Sequence, residues 1–191
     1  MKKPDIAVFV GSLSARSINR RLSLALQAAG DRHFTFTPVA IDALPLYNRD
    51  LDSNLPPAVV DLKRRVQAAD GLLFVSPEYN RSLPSALKNA LDWGSRPYGK
   101  SAWRGKVAAI AGGSSGALGT AIGQSHLRMV LTHLDVLTLP QPELYVKVTD
   151  ELITERGEVL SEDFEKLLSR FMDRFANLLH AQQDASRNST L

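Results

Sequence analysis

Residues 71–93 read GLLFVSPEYNRSLPSALKNALDW, and this stretch decides the fold. Gly71–Ser76 is an unbroken apolar run ending in serine, the pattern of a strand buried on both faces. PEYN ends that strand, where turn residues break the period. Pro84 then opens a helix through SALKNALDW; proline suits a first helical turn, where its missing N–H has no partner to lose. A buried strand that passes through a polar loop into a helix is half of a parallel βαβ unit.

The same unit recurs outward in both directions. Ile6–Val10 is a buried strand, and GSLSARSIN leads from it into a helix with Ile18, Leu22, Ala25, Leu26 and Ala29 on one face. Phe34–Thr37 alternates as a second strand, Ile41–Asn54 is a long polar connection, and Pro56-Pro57 opens a helix to about Ala69. Lys106–Ile110 is a fourth strand, AGGSSGALGTA a loop, and a helix follows through Leu131. Val136–Leu139 is a short fifth strand. In the last helix Leu160, Phe164, Leu167, Leu168, Phe171, Met172, Phe175, Leu178 and Leu179 make an apolar stripe, most simply core packing. The expectation is α/β: a five-stranded parallel sheet covered by helices on both faces, in one domain of residues 1–191, with a polar tail from about 182 to 191 expected to fray.

The chain has no cysteine, which excludes disulfides, thiolate metal sites and a dithiol relay, so any electrons it handles must travel on a bound cofactor. A net charge of +3 comes from scattered Lys and Arg, without the clustered stripe or module of a nucleic-acid binder. IAVFV is far shorter than the ~7–15 residues of a signal core, and no run approaches the ~20 apolar residues of a membrane span. The expectation is a soluble cytoplasmic protein with no membrane partner. His33, His126, His133 and His180 have no ligand spacing, so no metal site is expected.

In a parallel sheet, ligands bind beyond the carboxyl ends of the strands. Three unusual loops should meet there: GSLSARSIN, PEYNRSLP and GGSSGALG. The first offers Ser12, Ser14, Ser17, Arg16 and Asn19 just before a helix, whose N-terminus favours an anion. For one hydroxyl a simple turn or cap is the default reading; this combination favours phosphate. It lacks G-x-x-x-x-G-K-[ST] and the three glycines of a dinucleotide loop, so it suits a terminal monophosphate and points to FMN rather than NAD or FAD as the resident group.

GSLSARSIN, SPEYNRSLPSALKNALDW and the loop at Gly112–Gly119, in this order, resemble the NAD(P)H-dependent FMN reductase family, which includes quinone, azo and chromate reductases. The resemblance runs from about Ile6 to Leu139 and implies a flavodoxin-like three-layer sandwich. It implies that Ser12, Ser17, Ile18 and Asn19 hold the FMN phosphate, with Arg16 nearby. It sets Pro77, Glu78, Tyr79 and Asn80 along the flavin ring and makes Ser114 a flavin contact. Many members carry arginine where this chain has Ser14, a charge that Arg16 stands to supply. NADPH or NADH is the implied hydride donor and a quinone-like small molecule the acceptor, with no protein acid or base required. A homodimer or homotetramer is also implied, and the aromatics of Trp93–Trp103 and the third helix are expected to pack across its boundary.

Competing chemistry fares worse. Gly112, Ser114 and Gly116 fit the G-x-S-x-G elbow of a serine hydrolase, and Asp135 or Asp150 with His180 satisfies the chain order. His180, however, lies near the end of an amphipathic helix, and no HGGG-type oxyanion loop exists. A short-chain dehydrogenase would carry its glycine loop after the first strand. An FMN-binding electron carrier or redox-sensing module without NAD(P)H oxidation is the nearest alternative; flavodoxin-like carriers tend to be acidic, and this chain is basic.

Overall fold

The computed structural model describes residues 2–188. The chain runs β1 (Asp5–Val10), α1 (Ile18–Gly30), β2 (Thr35–Pro38), α2 (Pro57–Ala68), β3 (Gly71–Val75), α3 (Ser85–Gly94), β4 (Val107–Ser114), α4 (Ala121–His133), β5 (Leu137–Thr138), β6 (Leu144–Lys147) and α5 (Glu162–Asn188). The sheet order is β2-β1-β3-β4-β5, with β6 also on β4, and every pairing is parallel. Alternation along the strands divides the core. Ile6, Val8, Leu73 and Val75 face α1 and α5; Ala7, Phe9, Leu72 and Phe74 face α2, α3 and α4.

Three expectations need correction. The fourth strand does not stop at Ile110 but runs on through Gly112, Gly113 and Ser114, because β6 pairs with Ala111–Ser114. β5 and β6 lie in tandem on one flank of β4, so the fifth strand of the sheet comes in two pieces. Trp93 and Trp103 are fully buried rather than available to a partner subunit. Their indole N–H groups donate to Pro45 O (2.7 Å) and Leu91 O (2.9 Å), which satisfies the polar atom that burial would otherwise strand. Tyr98 is the exposed aromatic of that segment. In α5 the apolar stripe is buried except at the partly buried Leu178 and the exposed Leu167, while Leu160 precedes the helix and is exposed. The helix continues to Asn188 through much of the segment expected to fray; residues 189–191 lie outside the described residues. Among the described residues, no helix is long and apolar enough to cross a membrane.

Candidate functional site

The exits of β1, β3 and β4 are stitched side by side. Gly11 N–H donates to Val75 O (2.9 Å) and Ser76 N–H to Ala111 O (3.0 Å). The three loops that follow therefore meet at the carboxyl edge, and their own side chains join them. Ser12 Oγ lies 3.4 Å from Tyr79 Oη, linking first loop to second. Asn19 links first to third, and Glu78 links the second to α4.

In the first loop Ser17 is the N-cap of α1, accepting from Arg20 N–H at 3.2 Å. The amides of Ile18 and Asn19 have no protein acceptor among the described residues, and the first turn holds no carboxylate. Ser12 and Ser17 are buried beside them; Arg16 is exposed and has no partner among the described residues. The Asn19 side chain is committed elsewhere: its Nδ2 donates to Gly113 O (2.8 Å) and its Oδ1 accepts from Gly113 N–H (2.9 Å). A buried carboxamide has to be paired, and the bare peptide edge of Gly113 matches it. What Asn19 keeps for a ligand is its backbone N–H.

The second loop is a tight turn. Tyr79 and Ser82 exchange two backbone hydrogen bonds of 3.0 Å, while Asn80 (φ 50°) and Arg81 (φ 64°) both adopt left-handed backbone. That is the twist a two-residue hairpin needs, and asparagine tolerates it best among non-glycine residues. The turn holds the Tyr79 ring half exposed, and the amides of Glu78 and Asn80 have no protein acceptor among the described residues. Glu78 itself turns inward. Its carboxylate accepts from Gly123 N–H at 2.9 Å, at the start of α4, whose N-cap Thr120 makes no side-chain cap bond. The loop after β3 thus caps a helix that follows β4, with a negative charge at the positive end of the dipole. On the far side of the turn, Ser82 Oγ and His126 Nδ1 lie 3.0 Å apart, tying the turn to α4. Neither contact was legible in the sequence, because no local spacing relates residues 44 or 45 apart.

Ser114 closes its own loop, donating to Gly119 O (2.9 Å) and accepting from Gly116 N–H (3.1 Å). Among the described residues no histidine bonds it, and His180 is exposed on α5. Gly112 and Gly113 make room for protein rather than for a ring: a Cβ on Gly112 would lie 2.3 Å from Ser76 O, and one on Gly113 2.7 Å from Val148 Cγ2. Tyr145, opposite Gly112 on β6, is a neutral phenol; burial first, then the neighbouring Glu143, pushes it up to about 12. Among the described residues no three His, Asp or Glu side chains gather as a metal site.

A parallel sheet in the order 2-1-3-4-5 binds its ligand where the order reverses, between β1 and β3, and with a donor-only helix start at that point the natural ligand is FMN. The unpaired amides and acid-free first turn fit its phosphate. The protein is a flavodoxin-like flavoprotein. The family described as NADPH-dependent FMN reductase matches residues 4–150, and the chain belongs to that family. It is 51% identical over 171 residues to 2-hydroxy-1,4-benzoquinone reductase of Burkholderia sp, covering 90% of this chain and 93% of that one. It is 41% identical over 175 residues to a quinone reductase of Pseudomonas putida, covering 91% and 93%. Among solved structures, FerB, the flavoenzyme NAD(P)H:(acceptor) oxidoreductase of Paracoccus denitrificans, matches with a TM-score of 0.90 and 38% identity over 94% of this chain and 98% of that one. The chain is an FMN-dependent oxidoreductase.

Proposed function

We propose that the protein is an NAD(P)H:quinone oxidoreductase whose FMN lies across the three joined loops. The N–H groups of Ile18 and Asn19 and the hydroxyls of Ser12 and Ser17 hold the phosphate, and Arg16 adds charge from the rim. The amides of Glu78 and Asn80 meet the polar edge of the ring. Pro77 and Tyr79 form its wall, and the loop from Ser114 closes the third side through its backbone. Glu78 and Ser114 act mainly by fixing these loops. When bound, FMN would supply the hydride chemistry that links a nicotinamide donor to a quinone acceptor. The chain's part is to bind, orient and leave one ring face open.

The observation that carries this reading is the set of unpaired amides at the reversal point, held rigid by contacts between loops. The relatives named for quinone reduction support the acceptor class. We also propose a homo-oligomer, to which the exposed Ile122 and Met129 of α4 offer apolar surface, and work in the cytoplasm, where reduced nicotinamide nucleotides are regenerated. The test is reconstitution with FMN and measurement of NADPH and NADH oxidation with 2-hydroxy-1,4-benzoquinone. A flavin-loaded protein that oxidises neither nucleotide would sink the proposal and leave an electron carrier.

A further inference from the structure

β1 continues to Val10, but its neighbour β2 leaves the sheet after Pro38. Val39 N–H to Val8 O (2.9 Å) is the last bond between them. The chain then peels away through Ala40–Asp42 and opens a cleft of about 510 Å³ between itself and α1. That size falls in the roughly 300–1,000 Å³ range of small-ligand sites. Val10, Leu24, Val39 and Ile41 give it apolar walls, and Arg20 and Asp42 bring the charges. Ser12 and Leu13 close one end, so the cleft shares the first loop with the FMN site. The sheet order sets it on the β2 side of that loop, while Tyr79 stands on the β3 side and reaches Ser12 across it.

Three features identify the occupant. The apolar walls suit a flat heterocycle. Arg20, like the exposed Arg16, Arg49 and Arg104, has neither an ion-pair nor a hydrogen-bond partner for its guanidinium among the described residues, and of these four it is the one that lines the cleft. Asp42 likewise has no partner among the described residues, so the two charges that line the cleft do not neutralise each other and are left to a ligand. The end of the second strand beside the first helix is also where βαβ proteins read an adenosine ribose, an acid taking a hydroxyl and an arginine a 2′-phosphate.

We infer that this cleft is the subsite for the adenosine end of NADPH, with Arg20 pairing its 2′-phosphate and Asp42 accepting from the free ribose hydroxyl. The inference rests on the proposed reductase reading and adds to it a donor preference and the residue that sets it.

Two measurements on the FMN-loaded protein test it. Calorimetric titration with 2′,5′-ADP should give binding competitive with NADPH, weakened about tenfold or more in Arg20→Leu, with 5′-AMP little changed. In steady-state kinetics Arg20→Leu should raise KM for NADPH about tenfold with kcat kept, and leave KM for NADH within about twofold. Leu24→Trp, which fills the cleft, should raise KM for both nucleotides. Equal rises for NADPH and NADH in Arg20→Leu would overturn the 2′-phosphate assignment. No change in either, or a loss of FMN affinity, would overturn the subsite. Should the wild type oxidise neither nucleotide, the reductase reading fails, and the titration with 2′,5′-ADP still decides the cleft.

Discussion

The carboxamide of Asn19 and the peptide group of Gly113 exchange two hydrogen bonds of 2.8 and 2.9 Å, binding the start of α1 to the end of β4. This pair aligns the helix start that offers free amides with the loop that follows β4. Asn19→Leu leaves both Gly113 groups buried and unpaired, at a cost of about 1–3 kcal/mol for each stranded group. Urea unfolding should show that loss, and flavin titration a weaker affinity; unchanged stability would remove the pair from the account.

Ser17→Asp separates stability from binding. Aspartate caps a helix as well as serine does, so the melting temperature should hold. A carboxylate at the proposed phosphate position should weaken FMN binding about tenfold or more. Flavin affinity equal to wild type would refute the phosphate assignment.

Glu78→Ala removes the cap of α4 and should cost about 1–2 kcal/mol, with Glu78→Gln intermediate because it keeps an acceptor for Gly123 N–H but loses the charge. Thermal unfolding of the two variants checks the order. If Gln is as damaging as Ala, the charge and not the hydrogen bond holds the turn.

Two glycines of one loop should answer differently to the same change. Gly112→Ala drives a methyl to 2.3 Å from Ser76 O and Thr120 Oγ1, which calls for backbone movement and about 1–3 kcal/mol or more. Gly116→Ala meets nothing closer than 3.6 Å and should be tolerated. Soluble yield and melting temperature read both.

Asp173 ties α5 to Arg32 and His33. Burial raises its carboxyl, but the hydrogen bonds from His33 and Arg32 outweigh that and hold it below its ordinary 3.8. A depressed carboxyl stabilises the fold above its unfolded value and loses that contribution as pH falls through the folded one. The stability gap between wild type and Asp173→Asn should therefore be full at neutral pH and close below 3.8. A gap that persists in acid would show that the carboxylate's charge is not what matters.

The βα alternation was legible because buried parallel strands such as Gly71–Val75 read as unbroken apolar runs and the helices carry one-sided stripes. The three loops were legible as breaks at strand ends. Beyond that, local pattern loses its grip. Gly112–Ser114 has no strand propensity, and only pairing with β6 makes it one. Asn19 and Glu78 look like ligand groups in sequence, and the structure spends their side chains on Gly113 and Gly123. The tryptophans read as surface aromatics because their carbonyl partners, Pro45 and Leu91, follow no sequence rule.

The divided flank of the sheet has a bearing on life in a crowded solution. Edge strands are templates on which other chains can add, and long continuous ones invite aggregation. Here β5 offers two residues and β6 four, with Pro140 and Pro142 between them supplying no N–H to a newcomer. On the opposite edge, β2 is four residues long and ends in Pro38. Neither border of the sheet offers an uninterrupted ladder, so the molecule can keep a strongly apolar interior without becoming a seed for fibrous self-assembly.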